Sequence, residues 1–104
     1  MNIIILFGGN DMVEIKKGAK SFYVGDTEEN PLAEMTFVNS GENLIIVDHT
    51  IISDELSGQG VGKLLLKELV DWARNENIKI IPLCPFVKAQ MEKNKEYHDL
   101  IHNA

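Results

Sequence analysis

Three glycines alternate at positions 58, 60 and 62, between an apolar run and an amphipathic one. No other feature constrains the fold as strongly. Residues 48–70 read as the end of a strand, a short polar loop, a glycine turn and a helix. Glycine tolerates positive φ and lets a ligand approach the backbone. A helix start adds unpaired N–H groups and the positive end of the dipole. The combination predicts an anion site, suited to a phosphate or pyrophosphate.

Counting excludes two familiar phosphate motifs. The P-loop needs Gly, four residues, then Gly-Lys-Ser/Thr. Gly58 and Gly62 enclose three residues, and Lys63 is followed by Leu64, which has no hydroxyl for a magnesium ion. The dinucleotide fingerprint needs Gly-x-Gly-x-x-Gly and an acid about 20 residues on. Here the third glycine comes one residue early, and Ile78-Lys79-Ile80-Ile81 stands where the acid should be.

The flanking chain reads as one α/β (α+β) domain. Residues 13–17 and 21–25 suit strands separated by Gly18-Ala19-Lys20. Residues 32–38 alternate as a sheet strand with two unlike faces does. Residues 39–43 suit a hairpin. Residues 44–47 are continuously apolar, which predicts cover on both sides, and the strand runs on through His49 and Thr50 to Ile52. Val61, Leu64, Leu65, Leu69, Trp72 and Ala73 recur at helical spacing. Residues 78–83 form a further strand. Strand, crossover helix and strand predict a parallel pair, weakened at Pro82, which cannot donate to the ladder. Residues 86–93 suit a short C-terminal helix, and residues 97–101 a packed tail.

Composition narrows the function. A formal charge of −6 without a basic patch argues against nucleic acid as the main partner. It suits a cationic substrate such as an amine. One cysteine cannot form an intramolecular disulfide. No apolar run reaches the ~20 residues of a membrane span. These features predict a soluble, cytoplasmic protein, as a monomer or weak dimer, with no membrane partner.

Cys84 and His49 are the candidate catalytic residues. A thiolate is a nucleophile, and an imidazole suits general-base work near neutral pH. Parallel strands would bring both to one end of the sheet, where a Cys–His pair is a sensible constellation. A small buried hydrophobe and a hydrogen-bonded strand histidine are the bland readings. His98 and His102 sit in an acidic tail, and no spacing of His, Cys and acids suggests a metal site.

The run Ser57-Gly58-Gln59-Gly60-Val61-Gly62-Lys63 resembles the acetyl-CoA motif of the GNAT N-acetyltransferase superfamily, Arg/Gln-x-x-Gly-x-Gly/Ala. Gly60 and Gly62 fill its small positions, and Ser57 departs from its Arg/Gln. With Asp48-His49-Thr50, Cys84-Pro85-Phe86 and Glu96-Tyr97, residues 13–100 resemble a short single-domain branch of the YjdJ type. The resemblance implies a mostly antiparallel mixed sheet, with one parallel pair splayed around the cofactor. It implies acetyl-CoA or CoA as cosubstrate and an amine acceptor, either a small molecule or a protein or peptide. The backbone of residues 58–62 would hold pyrophosphate, and Thr50, Ile51 and Ile52 would pair with the pantetheine arm. Gln59, Lys63, Phe86 and Lys88 would assist. The resemblance favours a reactive Cys84. Most such domains insert two helices where Gly18-Ala19-Lys20 stands, so the acceptor site should be open. A CoA-binding or acyl-CoA-sensing module with little catalysis is the alternative function.

Residues 1–11 have a second reading besides a first strand. Gly8-Gly9 can be encoded by GGA-GGT, a bacterial ribosome-binding sequence, just upstream of Met12. Met12 would then be the native start, 1–11 a non-native leader or disordered N-terminus, and 12–104 the single domain. The intact mass of protein made from its own chromosomal locus is expected to begin at Met12. A species beginning at Met1 would overturn that reading.

Overall fold

A computed structural model describes residues 2–7 and 11–102, with side chains described from Val13 onward. Six strands form one sheet in chain order: β1 (Asn2–Phe7), β2 (Asp11–Lys17), β3 (Ser21–Val24), β4 (Ala33–Gly41), β5 (Leu44–Ile52) and β6 (Lys79–Pro82). Every neighbouring pair is antiparallel except β5 and β6, which are parallel. The mixed α/β architecture matches the expectation from the sequence. β1 pairs with β2 along the edge. Gly8 and Gly9, on which the leader reading rests, lie outside the described residues.

Two helices, α1 (Val61–Asn75) and α2 (Pro85–Lys93), follow β5 and β6. Val61, Leu65, Leu66, Leu69, Val70 and Ala73 make the buried stripe of α1, spaced as a core-facing helix requires. They pack on Phe22, Met35, Phe37, Ile45 and Val47, alternate residues of β3, β4 and β5. Val87 and Met91 of α2 join the same core. Both helices therefore cover one face of the sheet. The cover expected on both sides of β5 is found on one side only. Across the other face Val38, Ile46 and Ile81 stand in register on β4, β5 and β6, and Val38 is 49% exposed. Among the described residues no helix is long and apolar enough to cross a membrane.

The helices meet at a glycine. A Cβ on Gly62 would lie 2.9 Å from Phe86 Cζ, so the ring of α2 rests where a side chain of α1 would stand. The free edge of β6 is covered by the C-terminal segment. His102 N–H donates to Ile80 O at 2.8 Å, and Arg74 Nη2 holds Asp99 Oδ1 at 2.9 Å.

The β2–β3 connection is only Gly18-Ala19-Lys20, and Glu28 closes it. Its carboxylate accepts from Ala19 N–H at 3.1 Å, Lys20 N–H at 3.0 Å and the Ser21 hydroxyl at 2.7 Å. Burial pushes this carboxyl up. The bonds from Lys20, Ser21 and Ala19, with the Lys20 charge, outweigh it and leave the pKa below the usual value. A lowered carboxylate contributes stability above the unfolded pKa, about 4.3, and that stability is lost as pH falls through the folded value. Glu28→Gln should lower unfolding stability at pH 7 by about 1 kcal/mol, limited by solvent screening. The gap should close in acid urea titrations below about pH 4, and a gap unchanged with pH would refute the assignment.

The Gly62 contact makes a second prediction. Helix propensity alone would have Gly62→Ala stabilise the chain by up to about 1 kcal/mol. With Phe86 in place that gain should vanish. In a Phe86→Ala background it should reappear as a higher urea midpoint. Equal effects in both backgrounds would show that the ring does not restrict position 62.

Candidate active site

The site begins where β5 and β6 part. Their register ends at Val47 opposite Pro82. Proline has no amide hydrogen to offer, and the chain turns away at once. Leu83 N–H reaches both Ile81 O and Val47 O at 3.1 Å, and Cys84 N–H reaches Val47 O at 3.0 Å. Pro85 then opens α2 in its first turn, where a missing N–H costs nothing. Beyond Val47, β5 pairs with β4 alone. Its other edge faces a gap, the splay that the family resemblance implies at the weak point Pro82.

A bulge decides which side chains border that gap. Thr36 pairs with His49 but Phe37 pairs with Val47, so Asp48 is an extra residue on β5. One extra residue inverts the alternation of everything after it. Ile45 and Val47 face the helices, and past the bulge it is Thr50 and Ile52 that do so. His49 and Ile51 are turned to the open face, where Ile51 is 58% exposed. Thr36 Oγ1 donates to Asp48 Oδ1 at 2.6 Å and holds the bulge.

Cys84 is buried and caps the start of α2. Its Sγ lies 3.4 Å from Thr50 Oγ1, and either atom can donate. Among the described residues Thr50 is its side-chain hydrogen-bond partner. The Cys–His pair expected from sequence is replaced by Cys84–Thr50, because the bulge turns His49 away.

A cleft of about 310 Å³ opens beside this pair. Thr50, Ile52 and Leu56 form one wall, the last from a 3₁₀ turn at Asp54–Leu56. Ser57, Gly58 and Gly60 form the rim, and Val61, Gly62, Lys63 and Phe86 the remainder. Gly58 (φ 76°) and Gly60 (φ 78°) are left-handed, and a Cβ on either would meet nothing within 4 Å. Glycine is therefore needed for backbone shape, and the space above it is free for a ligand. Gly60 caps α1 without a side-chain hydrogen bond, and no acid occupies the first turn. The N–H groups that open α1 are left without a side-chain cap, at a positive dipole end worth about 0.3–1 kcal/mol to an anion. No carboxylate lines the cleft.

Other residues singled out in the sequence sort by position. Gln59 donates from Nε2 to Glu55 O at 3.1 Å and braces the loop. Lys88 and Ile51 do not line the cleft. Tyr97 sits in a groove between α1 and α2, next to Lys63 and Leu66. Sequence reasoning missed the bulge, Thr50 as partner of the thiol, and Leu56 as a wall. Two half-polar residues, Asp48 and His49, interrupting an apolar strand were the available signal for the bulge.

A family model described as GCN5-related N-acetyl-transferase matches residues 21–100. The solution NMR structure of a GCN5-like protein from Staphylococcus aureus, assigned to the N-acetyltransferases, is 50% identical. It superposes with a TM-score of 0.73 over 88% of this chain and 90% of that one. The crystal structure of ribosomal-protein-alanine N-acetyltransferase from Brucella melitensis shares the fold, at 20% identity and a TM-score of 0.51. That likeness covers 84% of this chain and 65% of that one. No curated protein matches. The matched residues run from β3 through both helices and include the whole cleft, and the chain belongs to the GCN5-related N-acetyltransferase family, an acyltransferase family.

Proposed function

We propose that this protein moves the acetyl group of acetyl-CoA to an amine. One observation carries the reading: an uncapped, acid-free helix start, with two left-handed glycines, lies beside the unpaired edge of a splayed strand. In this reading the backbone N–H groups of residues 58–62 hold the pyrophosphate, with Lys63 beside them. Ser57 sits on the rim and offers a hydroxyl where the family motif has a longer side chain. The free edge of β5 at Thr50 and Ile52 pairs with the amides of the pantetheine arm. Phe86, packed on Gly62, forms the apolar floor of the cleft.

The thioester would then reach the gap beyond Val47. The acceptor would approach from the open face, where His49, Ile51 and Leu83 are exposed. Among the described residues no helix covers that approach, and the Gly18-Ala19-Lys20 link is closed directly by Glu28. The amine nitrogen attacks the carbonyl carbon, and the C–S bond breaks. His49 or a water takes the amine proton, and a proton from solvent neutralises the CoA thiolate. Backbone N–H groups on the β5 edge beyond Val47 would stabilise the oxyanion. The orientation of His49 away from Cys84 supports direct transfer. The covalent alternative has Cys84 attack the thioester, with an S-acetyl thiol then passing acetyl to the amine.

Calorimetric titration should show binding of acetyl-CoA and CoA, but not of ATP or NAD. Absence of binding to both CoA species would remove the basis for the enzyme reading. With an amine acceptor, Cys84→Ala should keep its turnover, and His49→Ala should lose about 10²-fold at neutral pH. An inactive Cys84→Ala that still binds acetyl-CoA, with an acetyl adduct on wild-type Cys84 by mass, would establish the covalent route. Binding without turnover on any amine would favour the sensor reading.

A further inference from the structure

We propose that the groove between α1 and α2 is a second phosphate subsite, which takes the 3′-phosphate of CoA. This rests on the reading that the pyrophosphate lies in the glycine cradle. The groove has a volume of about 180 Å³ and is lined by Lys63, Leu66, Gln90, Lys93, Asn94 and Tyr97. Lys63 lines both this groove and the glycine cleft. The two spaces are therefore neighbours along α1, and Leu66 lies one turn, about 5.4 Å, below the cradle. That is the scale of a ribose carrying phosphate groups at both its 5′ and 3′ positions.

The lining chemistry fits a phosphate monoester. Lys63 and Lys93 form no ion pair among the described residues. Asn94 Nδ2 donates one hydrogen to Gln90 O at 2.7 Å, which sets its amide and leaves a second hydrogen. Gln90 brings a further amide. Burial, with the Glu96 charge, holds the Tyr97 phenol protonated as an O–H donor. No carboxylate lines the groove. The contrast within the molecule is informative. In a chain of net charge −6, the next cleft along α1 is lined by Glu68, Asp71 and Glu76. The two spaces that share Lys63 are both free of acids. Lysine is a point charge suited to a phosphate group, and neutral donors can satisfy the remaining oxygens.

The test compares CoA with dephospho-CoA, which differs only in the 3′-phosphate, by calorimetry on the full chain. Wild type should bind CoA about tenfold or more tightly than dephospho-CoA. Lys93→Ala should lose that preference while its affinity for dephospho-CoA stays the same, and Lys93→Arg should retain most of it. Equal wild-type binding of both forms would overturn the subsite and leave the CoA reading standing. So would equal weakening of both by Lys93→Ala. Binding of neither form would overturn the subsite together with the reading beneath it. A free phosphate ion as the true occupant predicts that inorganic phosphate binds wild type saturated with CoA as well as with dephospho-CoA. That result would overturn the 3′-phosphate as the ligand.

Discussion

The structure depends on one carbonyl. Val47 O accepts from both Leu83 N–H and Cys84 N–H, and the ladder between β5 and β6 ends there. A parallel pair would ordinarily run on, because each further residue adds hydrogen bonds and side-chain contact. Pro82 removes the donor that would continue it. The short turn through Ile81 O then spends the next two amides on a single acceptor. One face of β6 gains a sharp exit into α2, and β5 keeps five residues with a free edge. That edge would be a liability in a strand left alone. Here it is short, flanked by α1 and α2, and placed where a ligand amide can complete it.

The second constraint is the bulge at Asp48. A regular β5 would turn His49 and Ile51 toward the helices and Thr50 toward solvent. Imidazole and isoleucine would then crowd the mouth of the cleft. The extra residue reverses this, so a small hydroxyl and the thiol of Cys84 border the helix side. The titratable ring borders the open side. The cost is local, since Thr36 Oγ1 satisfies Asp48 at 2.6 Å. A single inserted residue thus separates the side where an anionic donor can lie from the side where an acceptor can enter.

Much of this was legible in the sequence. The parallel pair, the weak point at Pro82, the glycine turn, both helices and the tight Gly18-Ala19-Lys20 connection were readable from period, punctuation and length. The cleft itself was readable because Gly58, Gly60 and Lys63 are consecutive features of one turn. What escaped reading depends on tertiary register. A bulge leaves no mark on alternation until the partner strand is known, so His49 and Cys84 looked like a pair. A second role of Gly62 was hidden for the same reason. It reads as part of the phosphate turn, yet the side chain it makes room for is Phe86, 24 positions away. Lys88 looked as near the cradle as Lys63, but helical phase turns it elsewhere.

The uncovered face follows from the same economy of chain. With only a three-residue link between β2 and β3, none of the described helices lies over the outer side of the sheet. The row Val38, Ile46 and Ile81 stays partly wet, and its neighbour Leu44 is only half-buried. A domain of this size buries a smaller share of its surface than a larger one, so leaving a face open sacrifices stability. The compensation is on the helix side, where Phe22, Phe37 and Trp72 stack within 5.2–6.2 Å of one another and Lys17 lies 4.7 Å from the Trp72 ring centre. Each aromatic contact of this kind adds about 0.5–1.5 kcal/mol beyond area burial. The aromatic part of the core therefore lies toward the end of α1 away from the glycines, while Val61 and Leu65 carry the aliphatic part to the helix start. The rim at Ser57, Gly58 and Gly60, the splay and the open face are thus left to be shaped by ligand contact, on a helix whose inner stripe is anchored along its length.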